Sequence, residues 1–243
     1  MKHNKTDKDL KSFTRRIIIA VLLVIIIASA ISLVKEWMDA AAQRRLEESL
    51  AEAAKQTETE PSETEEETEA ETEAPYVSPI DFAPLWETNP DTIGWIRVPD
   101  TKIDYPIVQS PDNQYYLHKD FEGNDSVYGA IYLDADSKSD FSGWNNPIYG
   151  HHMKDGSMFK DVVRFKDQAF FESHRYFEIY TPERTIHLKT LGCYYSDSNG
   201  IVRKTSFKSQ ASFDKWVSER LAPCSFAEVP EQPFDSMFVL VTC

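Results

Sequence analysis

The run Met237-Phe238-Val239-Leu240-Val241-Thr242-Cys243 has the apolar, β-branched composition of a buried strand and carries a cysteine to its C-terminal tip. A second run, Asn146-Pro147-Ile148-Tyr149-Gly150-His151-His152-Met153-Lys154-Asp155-Gly156-Ser157-Met158-Phe159, rises through a short strand to a glycine and two adjacent histidines. A thiol and an imidazole at strand tips are the parts of an activated nucleophile. Taken singly, each also has an ordinary reading, a buried structural cysteine and a turn histidine. Side chains alternate between the faces of a regular strand, so His151 and His152 do not serve one site together. No third ligand stands at a recognisable spacing, and the sequence calls for no metal and no cofactor.

Five further runs read as strands, at 93–98, 103–109, 129–133, 176–180 and 185–191, beside those at 147–151 and 237–242. Helical spacing appears at 80–89, with Phe82, Leu85 and Trp86, and at 113–117, 161–171 and 212–221. The last places Phe213, Trp216, Val217 and Leu221 on one face. Seven short strands with few helices predict a mainly β barrel or sandwich.

Before this globular part, the chain changes character three times. Residues 17–34 are uncharged, with Ser29 and Ser32 their only polar side chains, a stretch just long enough to span a bilayer as a helix. Lys2, Lys5, Lys8, Lys11, Arg15 and Arg16 precede it, and this bias places residues 1–16 in the cytoplasm and the remainder outside. Ala28-Ser29-Ala30 resembles a signal-peptide cleavage site, but the apolar run continues through Ile31, Leu33 and Val34, which favours an uncleaved single-pass anchor. Residues 35–56 are rich in helix formers and read as an extracytoplasmic stalk; residues 57–74, built from Glu and Thr, read as a disordered linker; residues 75–243 form the globular domain.

The formal charge of −14 is unevenly spread. Residues 1–56 carry ten Lys/Arg against seven Asp/Glu, 57–74 carry nine Glu and no base, and 75–243 carry sixteen against twenty-four. No basic stripe offers itself to phosphates, which excludes a nucleic-acid partner. The three cysteines, Cys193, Cys224 and Cys243, cannot all pair with one another, so at least one thiol is free or pairs with another molecule.

The histidine run, the closing Leu240-Val241-Thr242-Cys243, and the lead-in from Thr92-Ile93-Gly94-Trp95-Ile96 through Asp104-Tyr105-Pro106-Ile107-Val108-Gln109 to Asp112-Asn113-Gln114-Tyr115-Tyr116-Leu117 together resemble the class B sortases. These are cysteine transpeptidases of Gram-positive bacteria, and the resemblance extends over roughly 82–243. It implies a sortase-like β-barrel with a few peripheral helices behind a single transmembrane helix. It makes Cys243 the nucleophile and His151 the catalytic acid and base, and it places Asn113, Leu117, Tyr149, Ser196 and Thr242 along the substrate groove. It further implies cleavage of an Asn-Pro-x-Thr-like sorting signal through a thioacyl enzyme, then transfer of the surface protein to an amine of a peptidoglycan precursor. Cys193 and Cys224 match no family motif and read as structural or incidental thiols. Sortases carry an oxyanion-stabilising arginine on a further strand beyond the cysteine. The sequence ends at Cys243, so the expectation is a chain lacking that final barrel strand, and Arg203 does not match the arginine's position. A non-catalytic surface module that retains only the groove is the alternative, and a peptidase transferring only to water is a third reading.

Overall fold

A computed structural model describes residues 3–55, 76–196, 201–229 and 234–242. The linker expected at 57–74 and the cysteine at 243 therefore lie outside the described residues. The chain divides into two compact units, Met1–Arg45 and Leu46–Cys243.

The first unit is helical. It belongs to α1 (His3–Ala53), which contains a window long and apolar enough to cross a membrane with none of that window buried. Ile17 to Val34 expose apolar side chains all round, as a helix does when its solvent is lipid rather than water. The last turns of α1, from Leu46, belong to the second unit, where Leu46, Leu50 and Ala54 pack into a core cluster with Ile80, Phe82, Leu85 and Trp95. The end of the predicted stalk is thus part of the globular domain, fastened by an isolated bridge between Lys55 and Ile80.

The second unit is a mainly β domain built on one seven-stranded sheet. In chain order its elements are α2 (Ala83–Thr88), β1 (Thr92–Arg97), β2 (Asp104–Val108), α3 (Tyr115–His118), β3 (Ile131–Leu133), β4 (Asn145–Tyr149), a 3-10 segment (Phe159–Lys166), α4 (Gln168–Ser173), β5 (Tyr176–Tyr180), β6 (Thr185–Lys189), a 3-10 turn (Ile201–Arg203), α5 (Gln210–Leu221) and β7 (Met237–Val241). The strands lie in the order β6-β5-β1-β2-β3-β4-β7. The β2–β3 and β4–β7 pairs are parallel and the others antiparallel. Short connections suit the antiparallel pairs, whereas each parallel pair needs a crossover; the one before β7 carries α5. Phe213, Trp216 and Val217 of α5 are buried against Trp144, Phe207, Phe234, Met237 and Val239, which covers β7.

All seven predicted strands are present; β5 has the predicted bounds and the others have shifted ends. The strand expected at 147–151 is β4, which starts two residues earlier and stops at Tyr149, so both histidines follow the strand. The helix expected at 161–171 is interrupted. Asp167 takes an extended conformation and accepts from the Phe170 N–H as the N-cap of α4, which closes the preceding 3-10 segment.

Candidate active site

The strand β4 is buried from Asn145 to Ile148 and ends at Tyr149; the next residue, Gly150, donates its N–H to the Val241 carbonyl of β7 at 3.1 Å. A Cβ on Gly150 would stand 2.5 Å from Ile131 Cδ1 and 2.7 Å from Phe159 Cγ, so only glycine lets the chain leave the strand here. The Tyr149↔Val241 register of the parallel pair makes both strands end at the same place. His151 is the second residue beyond Tyr149, and Thr242 follows Val241 directly. The Thr242 hydroxyl is buried with no hydrogen-bond partner among the described residues. Cys243 lies outside them.

His151 is half-buried and fixed from two sides. Its Nε2 is 2.9 Å from the Leu117 carbonyl, which can only accept, so Nε2 carries the proton and the neutral ring leaves Nδ1 as its basic atom. Leu117 belongs to the single turn of α3, whose last carbonyls have no helical partner of their own. Tyr116 O accepts instead from Ala130 N at 2.9 Å, and Leu117 O from the imidazole. Gly129, at φ +60°, lets the chain pass under the ring: a Cβ there would lie 2.7 Å from Tyr116 O and 3.1 Å from His151 Cδ2. His152 goes elsewhere. It is bridged to Met158, and its Nε2 is buried without a hydrogen-bond partner among the described residues.

The turn after the histidines is closed by Asp155, which accepts from Ser157 N and Oγ and from the Tyr128 hydroxyl. Burial alone would raise the Asp155 carboxyl, but these hydrogen bonds outweigh it and hold it below the usual carboxylate range.

The other expected groove residues do not behave alike. Tyr149 stacks on Tyr132 with ring centroids 5.1 Å apart, and its hydroxyl donates to Asp134 Oδ2 at 2.8 Å. Asn113 donates to the same oxygen at 3.0 Å and accepts from the Ala135 N–H at 2.9 Å. The Tyr132 hydroxyl donates to the Asn113 carbonyl at 3.3 Å. Burial, then the hydrogen bond to Asp134, pushes the Tyr149 phenol well above its ordinary value, so it stays a neutral donor. Leu117 packs half-buried on the core cluster and contributes its carbonyl rather than its side chain to the histidine. Ser196 is exposed beyond β6, beside the undescribed residues 197–200.

Two features escaped the sequence reading. The carboxylate of Asp134 is fully buried and gathers Asn113, Tyr149 and Arg203, the last donating from Nε at 3.1 Å. Gly129, the seat of the imidazole, read only as the start of a strand. Cys193 and Cys224 are free and half-buried, and burial raises both thiols, which makes them poor nucleophiles. Among the described residues no cluster of three or more His, Cys, Asp and Glu has the arrangement of a metal site.

The fold has relatives among known proteins. No family model matches the chain. A curated sortase B of Listeria monocytogenes is 47% identical over 78 residues, a match that spans only 32% of that relative's length and 32% of this chain. The solved sortase B of Listeria monocytogenes is 30% identical, covering 67% of this chain and 94% of that one, with a TM-score of 0.61. A Staphylococcus aureus sortase B-substrate complex is 26% identical, covering 67% of this chain and 77% of that one, with a TM-score of 0.62. The chain belongs to the sortases, and among them to class B.

Proposed function

We propose that the protein is a membrane-anchored cysteine transpeptidase that cleaves a sorting signal and transfers the cleaved surface protein to an amine. The observation that carries this reading is the His151–Leu117 hydrogen bond beside the shared ends of β4 and β7. The bond fixes the imidazole at the strand end from which the sequence runs on to Cys243. In this reading the Cys243 thiolate attacks the carbonyl carbon of Thr in an Asn-Pro-x-Thr-like signal, and the peptide C–N bond breaks to leave a thioacyl enzyme. The protonated ring gives a proton from Nδ1 to the leaving amine, while Nε2–H stays on the Leu117 carbonyl. Nδ1 then takes a proton from the incoming amine, which attacks the thioester; the C–S bond breaks and Cys243 leaves as the thiolate, restoring the starting thiolate–imidazolium pair. Asn113, Leu117, Tyr149, Ser196 and Thr242 line the signal's groove. Support for a peptide substrate comes from the staphylococcal relative, which is described as a sortase B-substrate complex.

The N-terminal apolar helix anchors the enzyme, and the basic residues before it keep the N-terminus in the cytoplasm and the catalytic domain outside. The acceptor is an amine of a peptidoglycan precursor, and the donors are surface proteins bearing the signal.

The test uses the full-length protein in detergent or bilayers, a fluorogenic Asn-Pro-x-Thr peptide and an added amine. Cleavage with the amine joined to Thr is the expected result, with activity down by about 10⁴-fold or more in Cys243→Ala. Equal turnover by Cys243→Ala, or hydrolysis that no amine diverts, overturns the transpeptidase reading.

A further inference from the structure

Asp134 is the least exposed acid in the described structure that three separate elements address. It follows β3 and has no exposed surface. Its Oδ2 accepts from Asn113 Nδ2 at 3.0 Å, Tyr149 Oη at 2.8 Å and Arg203 Nε at 3.1 Å, and its Oδ1 from the Asp136 N–H at 3.0 Å. The first two donors belong to the loop before α3 and to the end of β4. The third belongs to the crossover between β6 and β7.

Arg203 is not a loose surface arginine, although about half of its side chain is exposed. Its 3-10 turn is held from behind by Asn145, also fully buried, whose amide donates to the Val202 and Lys204 carbonyls at 2.7 and 3.1 Å. Attraction by Asp134 raises the guanidinium above its ordinary value, so it is charged at every working pH. Its outer nitrogen lies 3.7 Å from Asp136 Oδ2, an exposed pairing of little consequence beside the buried one. One side chain at each end of the same five-residue stretch, Asn145 and Tyr149, therefore helps to hold the crossover or the carboxylate to which it is latched.

We infer that Asp134 is a positioning residue that joins the two walls of the substrate groove. One wall is Asn113 and Tyr149, and the other is the crossover carrying Arg203. This rests on the groove assigned under Proposed function. With the carboxylate in place, the amide of Asn113 and the hydroxyl of Tyr149 are oriented by one atom and cannot turn independently. Arg203 keeps the crossover seated against them before the peptide arrives. Ordering these groups in advance lowers the cost of binding and leaves the acyl-transfer step itself to His151 and Cys243.

The experiment measures KM and kcat for the sorting-signal peptide, with full-length Asp134→Asn, Arg203→Met, Arg203→Lys and the Asp134→Asn/Arg203→Met double variant. Loss of the latch predicts a rise in KM of about tenfold in each of the first two, with kcat changed by less than about threefold. Arg203→Lys recovers part of the loss, and the double variant is no worse than the more impaired single one, because both remove the same contact. Hydrogen exchange supplies a readout independent of turnover: amides of 201–208 exchange faster in both single variants. Should Asp134→Asn fail to fold, Arg203→Met carries the test alone, since it alters a half-exposed side chain. Unchanged KM and unchanged exchange, a fall in kcat alone, or additive effects in the double variant overturn the inference. If the wild type leaves the peptide uncut, the transpeptidase reading fails, and the latch is judged by exchange at 201–208.

Discussion

Two regions of the domain are each drawn together by a carboxylate, and they are built in opposite ways. At the end of β4 the acid is Asp134, fully buried, with two neutral donors and one cation on a single oxygen. At the foot of the crossover it is Glu228, part-exposed, with Arg175 and Lys189 as partners and its own N–H donating to the Leu191 carbonyl at 2.8 Å. Solvent screens the second cluster and competes for every one of its hydrogen bonds, so it adds little beyond closing the loop. In the first cluster the acid itself is sealed from solvent, and the Tyr149 hydroxyl and Asn113 amide have it as their acceptor.

Removing the buried acid is the severest way to probe that contrast. Asp134→Ala leaves the Tyr149 hydroxyl and the Asn113 amide without an acceptor, and should cost about 2–4 kcal/mol in urea unfolding. Next in size is a steric test of the same region. Gly150→Ala drives a methyl into Ile131 and Phe159, and should cost about 1–3 kcal/mol while displacing His151, so that cleavage falls more than stability. Tyr149→Phe is milder, at about 1.5 kcal/mol, because Asn113 and Arg203 still satisfy the carboxylate.

The smallest effect belongs to the exposed cluster. Glu228→Gln should lower Tm by less than any of these, and the difference should vanish in high salt. The hydrogen bonds from Lys189 and then Arg175 hold the Glu228 carboxyl below its usual value. A depressed carboxyl contributes stability above its unfolded pKa, near pH 4.3, and loses it as pH falls through the lower folded value. The Tm gap between wild type and Glu228→Gln should therefore be full at about pH 6 and close below about pH 4. A gap as large as that of Asp134→Ala would break the comparison.

The strands were legible because their signals are local. Short apolar runs bounded by turn signals mark β1, β2 and β5. Strand ends were less legible, since β4 begins in Asn145 and Asn146, polar residues whose burial depends on partners elsewhere in the chain. Asp134 was not legible at all. Its partners lie 15, 21 and 69 residues away, and an acid after Ile131-Tyr132-Leu133 reads as a polar turn until tertiary structure closes around it. The same holds for the carbonyl of Leu117: the sequence marked the residue, but the atom that orients the histidine belongs to its backbone.

The parallel pairing of β4 with β7 bears on how the domain comes into being. Asn145 pairs with Met237, so this contact closes a loop of about ninety residues, whereas β5 and β6 meet across a short hairpin. Closure of so long a loop is entropically slow, and the strand joined by it should be among the last to dock. Until it does, Gly150 has no carbonyl from Val241 and the histidine has no neighbouring strand end. The paired ends of β4 and β7 should therefore come together only in a late step of assembly.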